Sequence, residues 1–312
     1  SGLCIDADNE ETNVISLNGL IVDGQLQFSV ATKLGETDTQ VLAMRFEKWL
    51  KEVVAHCQKV VTAKQIEYTL SDLQPFKFVE CMNESITGHP LWIFPPGGYG
   101  AEAYYGNICK FLTDKKLFLF NNFLMRLREI DDKAASRETY ERLAQIHIEE
   151  MKKYQPEGPY NLLGSSFGGV LATEVARQLE KMGEAIENVF LIDAYFNYKY
   201  VANKISPNNN WFEGDINYGY CPNVLSNFFG VITLFKALRE DNDIDNEGSI
   251  ACAFNRYYLE NTVDNYLGKF FPKKNIRVIN MQASHISWAR DEEVIHLICD
   301  SCKKYLKDNV IE

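Results

Sequence analysis

From about residue 76 onward the chain alternates short apolar runs with amphipathic stretches, and few architectures accept that rhythm. Such alternation is the signature of strands joined by helices, so it predicts an α/β domain with a mostly parallel central sheet. The strand candidates are Phe76 to Met82, Leu91 to Phe94, Leu117 to Asn121, Tyr160 to Leu163, Val189 to Ile192, Val231 to Phe235 and Ile276 to Met281. Between the third and fourth, Tyr140, Leu143, Ala144, His147, Met151 and Tyr154 recur at helical spacing and form one buried stripe of a crossover helix. Gly169 to Met182 reads as a second helix, with Gly183 placed to end it.

Two stretches break the rhythm. Residues 196–227 are rich in Asn, Tyr and Gly, and residues 238–250 in Asp, Asn and Glu, which suits insertions beyond strand ends. Residues 1–75 form a different, smaller α+β appendage: Asn13 to Asp23 and Gln25 to Thr32 read as a hairpin about an Asp23-Gly24 turn, and Thr39 to Cys57 as an amphipathic helix. Residues 58–75 read as a linker, and the main domain is expected over 76–312.

A net charge of −11 and the lack of a Lys/Arg-rich run argue against nucleic-acid binding; Lys152-Lys153 and Lys273-Lys274 read as solvated helix ends or loops. No apolar stretch approaches the ~20 residues of a membrane span, and the N-terminus lacks a secretory pattern, so a cytoplasmic protein is expected. Eight scattered cysteines suit free thiols in a reducing compartment. Cys299 and Cys302, with His296 one turn earlier, fall in a late helical segment without a fourth ligand, so no metal is expected there.

Gly164-Ser165-Ser166-Phe167-Gly168 is a G-x-S-x-G placed directly after a strand and before a helix. In that setting the pattern predicts a nucleophile elbow, a tight turn that exposes its serine and tolerates no side chains at the flanking glycines. Spacing makes Ser166 the nucleophile and Ser165 its neighbour. A serine hydroxyl is weak at neutral pH and needs a base, which in turn needs a third group to fix its tautomer. Asp193 ends the next strand run, where the carboxyl ends of parallel strands gather around one crevice. Of the five histidines, His56 lies in the appendage helix, His147 on the crossover stripe, His296 in the last helix and His89 at the amino end of a strand. His285 follows a strand closely and completes the order Ser, Asp, His expected of an α/β-hydrolase. For the oxyanion, the N–H of Phe167 is one expected donor, and Gly97 in the loop Phe94-Pro-Pro-Gly-Gly-Tyr-Gly100 is the other.

At this point the residues resemble a known family, the thioesterase domains that end nonribosomal peptide and polyketide synthetases, and their free-standing relatives. The resemblance runs from about Pro90 to Leu306. It is carried by Trp92-Ile-Phe-Pro-Pro-Gly-Gly-Tyr-Gly100, Gln155-Pro-Glu-Gly-Pro-Tyr160, Leu163-Gly-Ser-Ser-Phe-Gly-Gly-Val-Leu-Ala172 and Glu174-Val-Ala-Arg177. It implies an α/β-hydrolase fold, a triad of Ser166, Asp193 and His285, and a lid in the place of residues 196–227, shared in part with 238–270. No cofactor is implied; the substrate arrives on the phosphopantetheine arm of a peptidyl or acyl carrier domain, and the partners are that carrier and other synthetase modules. Carriers are commonly acidic, so apolar contacts rather than net charge are expected to drive docking. Residues 13–72 more weakly resemble the C-terminal tail of a condensation or epimerisation domain, without its H-H-x-x-x-D-G signature.

The expected function is release of an acyl or peptidyl chain from its carrier, by hydrolysis or macrocyclisation, through a Ser166 acyl-enzyme. An editing thioesterase that clears misacylated carriers, a noncatalytic carrier-docking module and a general lipase or esterase are the competing readings. Chain context, covalent labelling of Ser166, and preference for thioesters over oxygen esters separate them.

Overall fold

The computed structural model describes residues 14–22, 25–64, 76–97, 101–207, 216, 220, 222, 228–240 and 250–306. The chain divides into two compact units, residues 1–67 and 68–312.

In the first unit β1 (Ile15–Val22) and β2 (Gln25–Thr32) pair antiparallel, with Ile15 opposite Thr32 and Val22 opposite Gln25. The Asp23-Gly24 turn lies outside the described residues. Helix α1 spans Glu36–Lys64, and Phe46 on it meets Phe28 of β2 edge to face at 5.3 Å. The helix is longer than the sequence predicts: residues 58–64, expected to be linker, are helical. The physical reason is that nothing between Cys57 and Lys64 stops a helix, since the run contains neither Gly nor Pro. The rest of the expected linker, 65–75, lies outside the described residues.

The second unit is built on seven strands: β3 (Val79–Met82), β4 (Leu91–Phe94), β5 (Leu117–Phe120), β6 (Tyr160–Ser165), β7 (Ile186–Ile192), β8 (Val231–Ala237) and β9 (Ile276–Met281), in the order β3-β5-β4-β6-β7-β8-β9. All neighbours are parallel except β3 and β5. These are the seven apolar runs of the sequence, with ends that differ by a few residues.

Helices cover both faces, because strands buried on both sides send alternate residues into two separate cores. On one face Trp92, Phe94, Leu162, Val189 and Leu191 pack under α5 (Tyr140–Tyr154) and α6 (Phe167–Lys181). On the other, Ile93, Leu163, Phe190 and Ile192 pack under α2 (Ala101–Phe111) and α9 (Glu292–Tyr305). The short helices α3 (Phe123–Ile130) and α4 (Asp132–Ala135) follow β5. Helix α7 (Tyr198–Ile205) lies in the first stretch that interrupts the alternation, and α8 (Ile250–Asn261) begins where the second ends. Most of the expected lid, 208–215, 217–219, 221 and 223–227, lies outside the described residues, as does 241–249.

Candidate active site

After β4 the chain adds β5 on one side, then returns through α5 to place β6 on the other. A crevice opens beyond the carboxyl ends of parallel strands where the order reverses in this way. Register sets the ends side by side: Phe94 pairs with Gly164, and Ser165 with Ile192. Ser166 leaves β6 between the loop that follows β4 and the residue that ends β7.

The turn at Ser166 is strained. Its φ of +52° and ψ of −121° are rarely adopted by residues with side chains, at a cost of about 1–3 kcal/mol. The surroundings over-determine it: Ser166 N–H donates to Ile192 O at 3.0 Å, and Gly169 and Val170 N–H groups donate to Ser166 O. Glycine is required on either side by close approach. A Cβ on Gly164 would sit 2.2 Å from Gly168 O, and one on Gly168 would sit 2.4 Å from Pro95 O.

His285 Nε2 lies 2.9 Å from Ser166 Oγ, and His285 Nδ1 lies 2.8 Å from Asp193 Oδ2. A carboxylate acceptor at Nδ1 selects the tautomer with its proton there, which leaves the Nε2 lone pair facing the serine hydroxyl. The loop carrying the imidazole is pinned by reciprocal bonds, Ser284 N–H to Ser287 Oγ at 2.9 Å and Ser287 N–H to Ser284 Oγ at 3.1 Å.

Asp193 is 2% exposed, and a charge so buried needs its lone pairs filled. Oδ2 accepts from His285 and from the Tyr195 hydroxyl at 2.9 Å; Oδ1 accepts from Ala237 N–H at 3.2 Å and Asn265 Nδ2 at 3.1 Å. Lys236, also buried, donates to Tyr258 O at 3.2 Å and to Thr262 O, and Thr262 Oγ1 accepts from Asn265 N–H at 3.0 Å. Burial holds the Lys236 ammonium below its usual range, while Asp193 and Asp264 act in the opposite direction.

Gly97 lies against the elbow: a Cβ there would meet Phe167 Cβ at 3.4 Å. Phe167 opens α6, and the leading amides of a helix have no partner within it. Gly98, Tyr99 and Gly100 lie outside the described residues.

The other histidines are elsewhere. His147 is buried among Phe78, Phe94 and Phe120, with Nδ1 2.6 Å from Leu143 O, and burial pushes it from 6.5 down to about 4. His296 packs on Phe111; His89 is exposed, and nothing is described of the His56 side chain. Cys299 and Cys302 are core residues on α9, and burial pushes the Cys299 thiol up to about 12. Among the described residues no group of three or more His, Cys, Asp or Glu is placed to hold a metal ion, and no helix is long and apolar enough to cross a membrane.

Sequence reasoning missed Tyr105, Tyr195, Asn255, Asn265 and Lys236. Tyr105 Oη accepts from Ser165 N–H at 2.7 Å and donates to Phe94 O at 2.9 Å, which joins the elbow to the strand before the Gly97 loop. Tyr195 had a signal, standing two residues after Asp193. Tyr105 and Asn265 had none, since they reach their partners from 60 and 72 residues away.

Sheet, crossovers, elbow and residue order make the second unit an α/β-hydrolase. Residues 89–218 match the model of the thioesterase domain family. The chain is 33% identical over 285 residues to the N-(5-amino-5-carboxypentanoyl)-L-cysteinyl-D-valine synthase of Amycolatopsis lactamdurans, covering 89% of this chain and 7% of that protein. The synthase of the same name from Penicillium rubens is 24% identical, covering 96% of this chain and 8% of its own. The chain therefore spans less than a tenth of these curated relatives. Among solved structures, the NocB thioesterase domain in covalent complex with a fluorophosphonate nocardicin G analog has the same fold, with a TM-score of 0.52 and 22% identity, over 74% of this chain and 100% of that one.

Proposed function

We propose that the chain releases a peptidyl group from the phosphopantetheine thioester of a carrier domain by hydrolysis, through an acyl-enzyme on Ser166. The observation that carries this reading is the 2.9 Å approach of His285 Nε2 to Ser166 Oγ on a strained elbow. Asp193 stands behind the imidazole at 2.8 Å. His285 takes the hydroxyl proton as Oγ attacks the thioester carbonyl, and Asp193 stabilises the imidazolium that forms. The oxyanion is held by the N–H groups of Phe167 and Gly97. Collapse of the tetrahedral intermediate breaks the C–S bond, and the leaving sulfur takes its proton from His285. Water then enters, gives a proton to His285 and attacks the acyl carbon; Ser166 leaves with that proton, and the free acid departs.

Both synthase relatives are named for a linear tripeptide, which favours water over an internal nucleophile as the second attacker. The proposed partners are a peptidyl or acyl carrier domain and other modules of a synthetase, in keeping with relatives far longer than this chain. Mass spectrometry of the product released from a peptidyl-loaded carrier tests the reading. The linear acid is expected; a cyclic product, or a carrier that stays loaded, contradicts it.

A further inference from the structure

We propose that Tyr195 is a positioning residue that sets the basicity of His285 from two sides, through a hydrogen bond to Asp193 and a ring stacked on the imidazole. The inference rests on Ser166, His285 and Asp193 acting together as described above. The phenol has one proton, and both Asp193 Oδ2 at 2.9 Å and Asn255 Oδ1 at 3.1 Å lie in reach to accept it. The carboxylate is charged and closer, so it takes the proton. That same Oδ2 receives His285 Nδ1, so the phenol and the imidazole share one oxygen. Charge that Oδ2 gives to the phenol is charge withheld from the imidazolium, and the hydrogen bond makes His285 a weaker base.

The ring acts with the opposite sign. It lies 4.7 Å from the His285 ring at 24°, and Tyr258 stacks on it at 4.3 Å and 6°. Tyr258 is buried, its hydroxyl donating to Phe196 O at 2.6 Å, so the ring of Tyr195 is held between a fixed partner and the base. A π-face against an imidazole favours its cationic form, the form His285 must pass through.

The charged and titratable groups around the pair come from each neighbouring element. Asp193 follows β7, Ser166 follows β6, and Lys236 lies in β8 with Asp264 acting on it. Tyr258 of α8 is raised by burial and by neighbouring groups that include Asp193. Removing the Tyr195 hydroxyl alone deletes none of these groups and takes one donor from Asp193 Oδ2.

The test is the rate at which an alkyl fluorophosphonate labels Ser166 across pH, which needs an activated serine but neither carrier nor thioester. Failure here is thus separate from failure of the proposed function. Tyr195→Phe removes the hydrogen bond and keeps the stack, so the acid limb of the labelling rate should move to higher pH by roughly half a unit, the size of one shared hydrogen bond. Tyr195→Leu removes both, and its limb should fall roughly half a unit below that of Tyr195→Phe. A role confined to packing slows labelling equally at every pH. Limbs that stay at the wild-type position in Tyr195→Phe overturn the proposal. Limbs that move together in both variants overturn it too. Tyr195→Phe differs from wild type by one oxygen, so its limb decides the matter even where the leucine variant fails to fold.

Discussion

Tyr105→Phe deletes one oxygen and strands two buried backbone groups, Ser165 N–H and Phe94 O. Leaving such groups without partners costs about 1–3 kcal/mol, and the loss falls on the joint between the elbow and the oxyanion loop. A lower melting temperature together with a kcat that falls more than KM rises is expected; unchanged kcat would contradict the role. Asp193→Asn should keep the fold but favour the wrong imidazole tautomer, lowering kcat on the order of 10⁴-fold, measured on a pantetheine thioester. At this scale the positions of Ser166, Asp193 and His285 were legible because each follows a strand in a known order. Asn265 and Lys236 were not, since their contacts exist only once β8 and the loop at 262–265 are folded together.

Among the elements, α5 carries two contributions that acid weakens. Burial lowers His147, so below 6.5 the unfolded chain binds a proton that the folded chain refuses until about 4. Stability is therefore lost as pH falls through that window. His147→Phe keeps the ring contacts and should narrow the difference between urea midpoints at about pH 7 and about pH 5; an unchanged difference would refute it. At the other end of the helix, Lys152 pairs with Glu184, which also accepts from Gly158 N–H at 3.0 Å. The lysine and that amide hold the Glu184 carboxyl below its usual range. Its contribution is present at neutral pH and lost as pH falls through the lowered value, so Glu184→Gln should destabilise at neutrality and converge on wild type well below pH ~4. The apolar pattern revealed the stripe of α5 as far as Met151, Tyr154 at the helix end being 52% exposed, but not these charges, because Glu184 is 32 residues from Lys152 and reaches it only through the return of β7 beside β6. The extent of α1 was misread for a different reason: the run from Gln58 to Lys64, expected to be linker, holds no breaker and continues as a helix.

For the molecule as a whole, the sheet and both its cores fall within residues 68–312. A chain of those residues should unfold cooperatively and keep fluorophosphonate labelling of Ser166 at a rate within a factor of about two of the full chain. Loss of labelling in a folded fragment would show that the first unit shapes the site. The seven strands and a crevice at their carboxyl ends were foreseeable from the alternation of runs, while their order in the sheet was not read from it, and the lid segments, poor in periodicity, gave the sequence little to read. The central claim is a covalent intermediate on Ser166. It is tested most directly by mixing the chain with a peptidyl pantetheine thioester, quenching early and mapping the adduct by peptide mass spectrometry. An acyl group on the peptide bearing Ser166, absent in Ser166→Ala along with turnover, is the expected result; turnover by Ser166→Ala near the wild-type rate would contradict it.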